Sequence, residues 1–286
     1  MNVKNLKVIS TKKELKSYLK SLNGTIGLVP TMGALHSGHK SLIEAANKEN
    51  DIVVVSVFVN PTQFGPNEDY DKYPRTLDKD VELAKEGGAD VVFAPSPREM
   101  YTNIYFEEKE TTLVCPPYKY VNRLCGKSRP GHFDGVCTVV SKLFNLVKPN
   151  RAYFGQKDAQ QLFIIQKMVE ELDFDIEIKK CPIVREIDGL AISSRNTYLS
   201  ENDRKKAVNL SLALKKAKEL KDKGIKEAQT LIDTAFSYLE GFDVDYIEIV
   251  SLEDFTKIDT INNKALMLIA AKTPEVKVRL IDNMEL

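Results

Sequence analysis

Histidine is almost absent from this chain, with three in 286 residues. Cysteine is nearly as scarce. Cys115, Cys125, Cys137 and Cys181 include no C-x-x-C spacing, which excludes the paired-thiol metal or redox site. They read as reduced thiols of a cytosolic protein. An excess of either charge is absent too: Lys+Arg and Asp+Glu both number 41, for a formal net charge of zero. That excludes a broad nucleic-acid footprint or an anionic-membrane patch, while leaving room for a local basic pocket. No apolar run reaches the ~18 residues that a membrane helix needs. The opening "MNVKNLKVISTKKELKSYLK" carries lysines throughout and lacks the apolar stretch of a signal peptide. Internal repeats and low-complexity segments are missing as well. The expectation is a soluble, cytoplasmic protein with no nucleic-acid or membrane partner.

What is present is enough apolar residue for a real core, 43%, in one large domain or two modest ones. "TKKELKSYL" opens on a capping box, Thr11 with Glu14, and predicts a helix. Residues 25–29 predict a short buried strand, the nearly all apolar, β-branched run at 51–59 a strand covered on both faces, and 89–95 another strand. Residues 151–155 and 174–184 predict two more. Helices are predicted between them, at 38–50, 76–86, 133–147 and 158–172, with 96–132 irregular. This alternation implies an α/β fold with a parallel sheet, right-handed crossovers and helices on both faces. The pattern changes near residue 182. "DGLAISSRNTYL" predicts a hairpin or strand–loop, followed by lysine-rich helices at 201–222 and 225–240. Consecutive strands at 244–250, 265–272 and 276–282 then imply an antiparallel sheet. The expected domains are 1–181 and a smaller α+β domain at 182–286.

Two of the three histidines, His36 and His39, fall in "VPTMGALHSGHKSL", where a strand gives way to a helix. Side chains three apart on a helix share a face. A helix start carries free N–H groups and about half a positive charge, so it binds phosphate readily. Gly33 and Gly38 let the backbone approach an anion closely. A P-loop is excluded, because His39 stands at its lysine position. Zinc would need a third ligand and would face the positive helix terminus. Beside the plain reading of satisfied surface or core histidines stands a pair of imidazoles hydrogen-bonded to nucleotide phosphates, donors that follow charge as a phosphate bond breaks. This H-x-G-H after a first strand resembles the signature of the nucleotidyltransferase superfamily. That resemblance implies a Rossmann-like sheet for residues 1–181.

Further segments narrow the chemistry. Asn60, Pro61 and Gln63 follow the second predicted strand, at the end where open α/β sheets place ligands; Asn67, Glu68 and Asp69 read as a solvated polar turn. Arg129 and His132 precede the helix of "SRPGHFDGVCTVVSKLFN", as a surface arginine and helix cap or as substrate contacts. In "YFGQKDAQQL", Lys157 and Asp158 open a helix, with Gln161 one turn on. A lysine disfavours its own helix start, and an anion there would explain it. "AISSRN" sets two hydroxyls beside Arg195, a suitable phosphate grip.

Taken together, "LVPTMGALHSGH", "DIVVVSVFVNPTQF", "YPRTL", "RPGHFDGV", "YFGQKDAQQL", "REIDGLAISSRNTYL" and "RLIDN" resemble the pantoate–β-alanine ligase family across essentially the whole chain. The resemblance implies that ATP, with Mg2+, activates pantoate as an enzyme-bound adenylate, which β-alanine then attacks. It implies an ATP site of Met32, Gly33, His36, Gly38, His39, Gly155, Gln156, Lys157, Asp158, Val184, Ile192, Ser193, Ser194 and Arg195. Catalytic roles fall to His39 as proton donor, to His36 and to Lys157; no metal ligands are assigned. Gln63 and Gln161 would hold pantoate, with Asn60 and Arg129 as further substrate contacts. It also implies a homodimer and a lid role for the C-terminal domain. Residues 101–127 depart from the family's pattern. A shared H-x-G-H leaves two alternatives: an adenylyltransferase acting on a phosphorylated coenzyme precursor, and a nucleotide-binding regulator without turnover. An aminoacyl-tRNA synthetase is disfavoured, since the neutral charge offers no surface for tRNA.

Overall fold

The runs of valine and isoleucine form the centre of the larger sheet, where branched side chains fit a pleated surface. The computed structural model describes residues 6–66, 68–101 and 111–286. In chain order the elements are β1 (Lys7–Ile9), α1 (Lys12–Lys20), β2 (Ile26–Thr31), α2 (Ser37–Glu49), β3 (Ile52–Val57), α3 (Leu77–Gly87), β4 (Val91–Phe93) and α4 (Pro97–Met100). There follow α5 (Tyr118–Val121), α6 (Leu124–Ser128), α7 (His132–Val147), β5 (Arg151–Gly155), α8 (Ala159–Glu171) and β6 (Glu177–Cys181). The chain closes with α9 (Glu201–Ala207), α10 (Asn209–Asp222), α11 (Ala228–Ser237), β7 (Asp243–Ser251), β8 (Ala265–Lys272) and β9 (Arg279–Glu285).

Two compact units result. The first comprises the described part of Met1–Asn122 with Arg129–Gln156 and Gln161–Pro182. Its six-stranded sheet has the order β1-β4-β3-β2-β5-β6, with every pair parallel. Val53, Val54 and Val55 are all fully buried. Successive strand side chains point to opposite faces, so both faces are covered, as an unbroken apolar run predicts. Leu42, Ile43 and Ala46 of α2 and Ala84 of α3 pack one face, against Val29, Val53 and Val55. Each large apolar side chain among them contributes roughly 1.5–3 kcal/mol by leaving water. From β2 the chain steps outward through β3 to β4, then returns to lay β5 on the other side of β2. The connections after β2 and β5 therefore leave in opposite directions, which opens a crevice at their carboxyl ends.

The second unit comprises Arg123–Ser128, Lys157–Gln160 and Ile183–Leu286. Its sheet, β7-β8-β9, is antiparallel. Leu210 and Leu214 of α10 and Leu231 of α11 share its core with Ile249, Met267 and Ile269.

Several details differ from the sequence reading. β1 was not foreseen, because three residues are too few to show a period. Short helices α4 to α6 interrupt the stretch expected to be irregular, and residues 102–110 of that stretch lie outside the described residues. The helix expected at 158 opens at Ala159, after a 3-10 turn at Gln156–Asp158. The expected hairpin after residue 187 reduces to a single bridge, Arg185 to Ala191, and a 3-10 turn at Ser194–Tyr198. The helix expected over 201–222 is two, meeting at Val208, whose carbonyl accepts the Ser211 hydroxyl at 3.0 Å. The last strand lies three residues later than predicted. Among the described residues no helix is long and apolar enough to cross a membrane.

Candidate active site

The turn from β2 to α2 is built on backbone that few residues tolerate. The Thr31 hydroxyl donates to the Ser56 carbonyl at 2.6 Å and accepts the Gly33 N–H at 3.1 Å. Gly33 has φ +88°, and a Cβ there would meet Val57 Cγ1 at 3.0 Å and Asp80 Oδ2 at 3.1 Å. Glycine satisfies both the dihedral and the space. Ala34 follows with φ +49°, a conformation an alanine adopts only when its surroundings hold it. The Ala34 and Leu35 N–H groups donate to the two carboxylate oxygens of Asp80, at 3.1 and 2.7 Å. Asp80, on α3, is 1% exposed and also accepts the Thr76 hydroxyl at 3.3 Å. Burial pushes its carboxyl above the usual value, and the two amides and the hydroxyl counter this only in part.

His36 is the extended N-cap of α2, and His39 is the third residue of the helix. The His36 N–H donates to His39 Nδ1 at 3.3 Å. An N–H can only donate, so Nδ1 accepts and the ring proton of His39 sits on Nε2. The two rings stack with centroids 4.0 Å apart and a 30° tilt. A Cβ on Gly38 would press on the His36 ring at 3.0 Å. The glycine of H-x-G-H thus makes room for the first imidazole as well as for any anion.

At the end of β3, Asn60 caps a 3-10 turn that spans Pro61–Gln63. The Gln63 amide donates to Met32 Sδ at 3.0 Å and accepts from Asn60 Nδ2 at 3.0 Å. Asn60 Nδ2 also donates to the Gly135 carbonyl at 3.1 Å, and Asn60 Oδ1 accepts from the Tyr101 hydroxyl at 2.7 Å and the Thr62 hydroxyl at 3.0 Å. Asn60 is 1% exposed. Expected to touch substrate, it has both amide protons engaged within the protein, on Gln63 and on the Gly135 carbonyl. Burial pushes the Tyr101 phenol up to about 12, and its hydrogen bond with Thr62 only partly opposes this.

The third histidine belongs here as well. His132 is buried at the first position of α7 and is no surface cap. Its Nδ1 lies 2.8 Å from the Gln63 carbonyl, and Arg129 Nη1 lies 3.0 Å from its Nε2. The carbonyl accepts and the guanidinium donates, so the proton sits on Nδ1. Arg129 in turn grips Glu68 with two hydrogen bonds, of 2.6 and 2.7 Å. Glu68 is therefore ion-paired, and the solvated-turn reading is corrected for it; Asn67 lies outside the described residues. Burial opposes ionisation of Glu68, yet the bond to Arg129 and its charge outweigh this and hold the carboxyl below the usual range. Arg129, expected at substrate, is already paired.

The remaining predicted residues fall into two groups. Gly155 ends β5, beside β2 at the crevice, Gln156 opens the 3-10 turn that follows, and Gln161 lies in the first turn of α8 within the same unit. Lys157 and Asp158 group with the second unit, where the Lys157 carbonyl accepts the Asn283 amide at 3.0 Å. That unit also holds Val184, whose carbonyl accepts the Ile192 N–H at 3.0 Å, and Ser193, whose hydroxyl caps the Arg195 N–H at 3.3 Å before Ser194.

The sequence profile of pantoate–β-alanine ligase matches residues 7–285. The chain belongs to the pantoate–β-alanine ligase family. The pantothenate synthetase of Pseudothermotoga lettingae is 50% identical over 281 residues, covering 96% of this chain and 97% of that protein. A crystal structure of the pantothenate synthetase of Thermus thermophilus superposes with a TM-score of 0.90 at 44% identity, covering 98% of this chain and 99% of that one. The Francisella tularensis pantoate–β-alanine ligase, solved in complex with β-γ ATP and β-alanine, superposes at a TM-score of 0.78 and 36% identity, covering 98% and 97%.

Against that family background, two residues escaped the sequence reading, Asp80 and Gly135, while Glu68 and His132 were named there without their partners. A Cβ on Gly135 would fall 2.6 Å from Gln63 Cα and closer still to the Thr62 carbonyl. Asp80 carried a usable signal. It shares a helix face with Ala84 and Gly87, and an acid inside a buried stripe is the informative kind of residue.

Proposed function

We propose that the turn carrying His36 and His39 binds the triphosphate of ATP, and that Gln63 presents pantoate to it. By family the chain is a pantoate–β-alanine ligase; the residue roles are the proposal. A pantoate carboxylate oxygen attacks the α-phosphorus of ATP, the bond to the β-phosphate oxygen breaks, and pyrophosphate leaves. The β-alanine amine then attacks the acyl carbon, loses a proton, and AMP departs with the carboxylate oxygen that bound phosphorus.

The observation that carries this reading is the hydrogen bond from the His36 N–H to His39 Nδ1. With Nδ1 occupied by the His36 N–H, Nε2–H is a donor without the ring being charged, and it can follow charge onto the leaving phosphate. His36, stacked against it, supplies the second imidazole, and Lys157 and Arg195 the cationic charge. Asn60 acts through Gln63, whose neutral amide binds hydroxyls or a carboxylate without a competing charge. Arg129 reaches a substrate carboxylate only by exchanging it for that of Glu68. Gln161 is the second pantoate ligand, Val184 meets adenine through its backbone, and Ser193 and Ser194 support the phosphate grip. Residues 182–286 serve as a lid, which would keep water from a labile anhydride. Among the described residues no group of three or more His, Cys, Asp or Glu side chains is placed to hold a metal ion. Mg2+ would enter with the phosphates, as that ion usually does. The homodimer stays part of the same proposal.

Oxygen-18 in both carboxylate positions of pantoate tests the chemistry. One label should appear in AMP and none in pyrophosphate. Unlabelled AMP, with the displaced label in a phosphate product or in water, would refute an adenylate.

A further inference from the structure

We propose that Asp80 is the positioning residue for the imidazole pair. Three consecutive amides are aimed by side chains: those of Ala34 and Leu35 at Asp80, and that of His36 at His39 Nδ1. The first two set the direction of the third, because they hold Gly33 and Ala34 at positive φ immediately before the helix. An alanine in that region persists only where its surroundings over-determine it. The carboxylate is suited to this, since its two oxygens each take one amide, at 3.1 and 2.7 Å. An asparagine can accept only on one side and would point N–H at N–H on the other. Asp80 touches no reacting atom. It acts by keeping the His36 N–H on His39, and so the proton of His39 on Nε2. Its effect on rate rests on the ligase reading; its effect on the imidazoles does not.

The scarcity of histidine makes the test clean, because a histidine-labelled protein shows three imidazoles. In Asp80→Asn, nitrogen-15 spectra assigned with His36→Gln and His39→Gln should show both the His36 and His39 rings shifted. His39 should lose its fixed Nε2–H tautomer, while His132 stays in place. Pantoate-dependent pyrophosphate release should fall about tenfold to a hundredfold, the usual consequence of misplaced groups. Thr76→Val removes only the hydroxyl on Asp80 and should move the same two signals less, in the same direction. It carries the test alone if Asp80→Asn does not fold. Unmoved His36 and His39 signals in a folded variant would overturn the proposal, and so would a rate in Asp80→Asn within about twofold of the parent. If the parent itself releases no pyrophosphate with pantoate, the ligase reading fails, and the spectra alone decide the role of Asp80.

Discussion

The rings of His39 and His132 are held by backbone groups of the turns after β2 and β3: His39 by the His36 N–H, His132 by the Gln63 carbonyl. The pair His36 and His39 was legible in the sequence, because H-x-G-H after a strand carries a physical reason for phosphate. The place of His132 was not, since its partner is Gln63, far away in the chain, and no local pattern reports that contact. The same holds for Glu68, which looks solvated in sequence and is paired in space. Its side chain and that of Arg129 are 24% and 16% exposed, so breaking the pair leaves a largely buried charge. Arg129→Met should lower stability at neutral pH by about 1–3 kcal/mol, measured by denaturant unfolding. The pH dependence has a definite sign. Glu68 is held below its ordinary value of 4.5, so the pair's contribution is full above that value and is lost as pH falls through the lower, folded value. The difference between parent and Arg129→Met should therefore shrink below about pH 4. A constant difference from neutral to acid pH would contradict the pairing.

At the scale of elements, the strands were legible wherever they were buried on both faces. Residues 51–59 read as a strand because alternation is unnecessary inside a covered sheet. Three-residue β1 and the helix break at Val208 were invisible, because neither alters the hydrophobic period. The contact of α7 with the turn at 60–63 was equally hidden. It depends on Gly135, whose missing side chain lets two backbones meet. Gly135→Ala improves helix propensity, and by propensity alone should stabilise by roughly 1 kcal/mol. The packing says the opposite, because the intruding methyl meets backbone that cannot turn away. The expected net result is a loss of about 1–3 kcal/mol and a raised KM for pantoate, as Gln63 moves, with a smaller change in KM for ATP. Unchanged stability and an unchanged KM for pantoate would show that α7 does not position Gln63.

For the molecule as a whole, the site follows from topology. The order β1-β4-β3-β2-β5-β6 puts the ends of β3, β2 and β5 side by side, and with them Gln63, the histidine pair and Gly155. Strand–helix alternation predicted a parallel sheet, but nothing local in the sequence could announce which strand lies beside which. Nor did it announce that Arg123–Ser128 and Lys157–Gln160 group with the C-terminal unit; such groupings rest on contacts remote in sequence. The central claim is that the β2–α2 turn drives the first half-reaction, with His39 as its donor. Pyrophosphate release from ATP and pantoate, with β-alanine withheld, tests it most directly. The parent should release pyrophosphate in a burst, and His39→Ala, folded to the same melting temperature, should do so about a hundredfold more slowly. A burst of parental rate in His39→Ala would contradict the account.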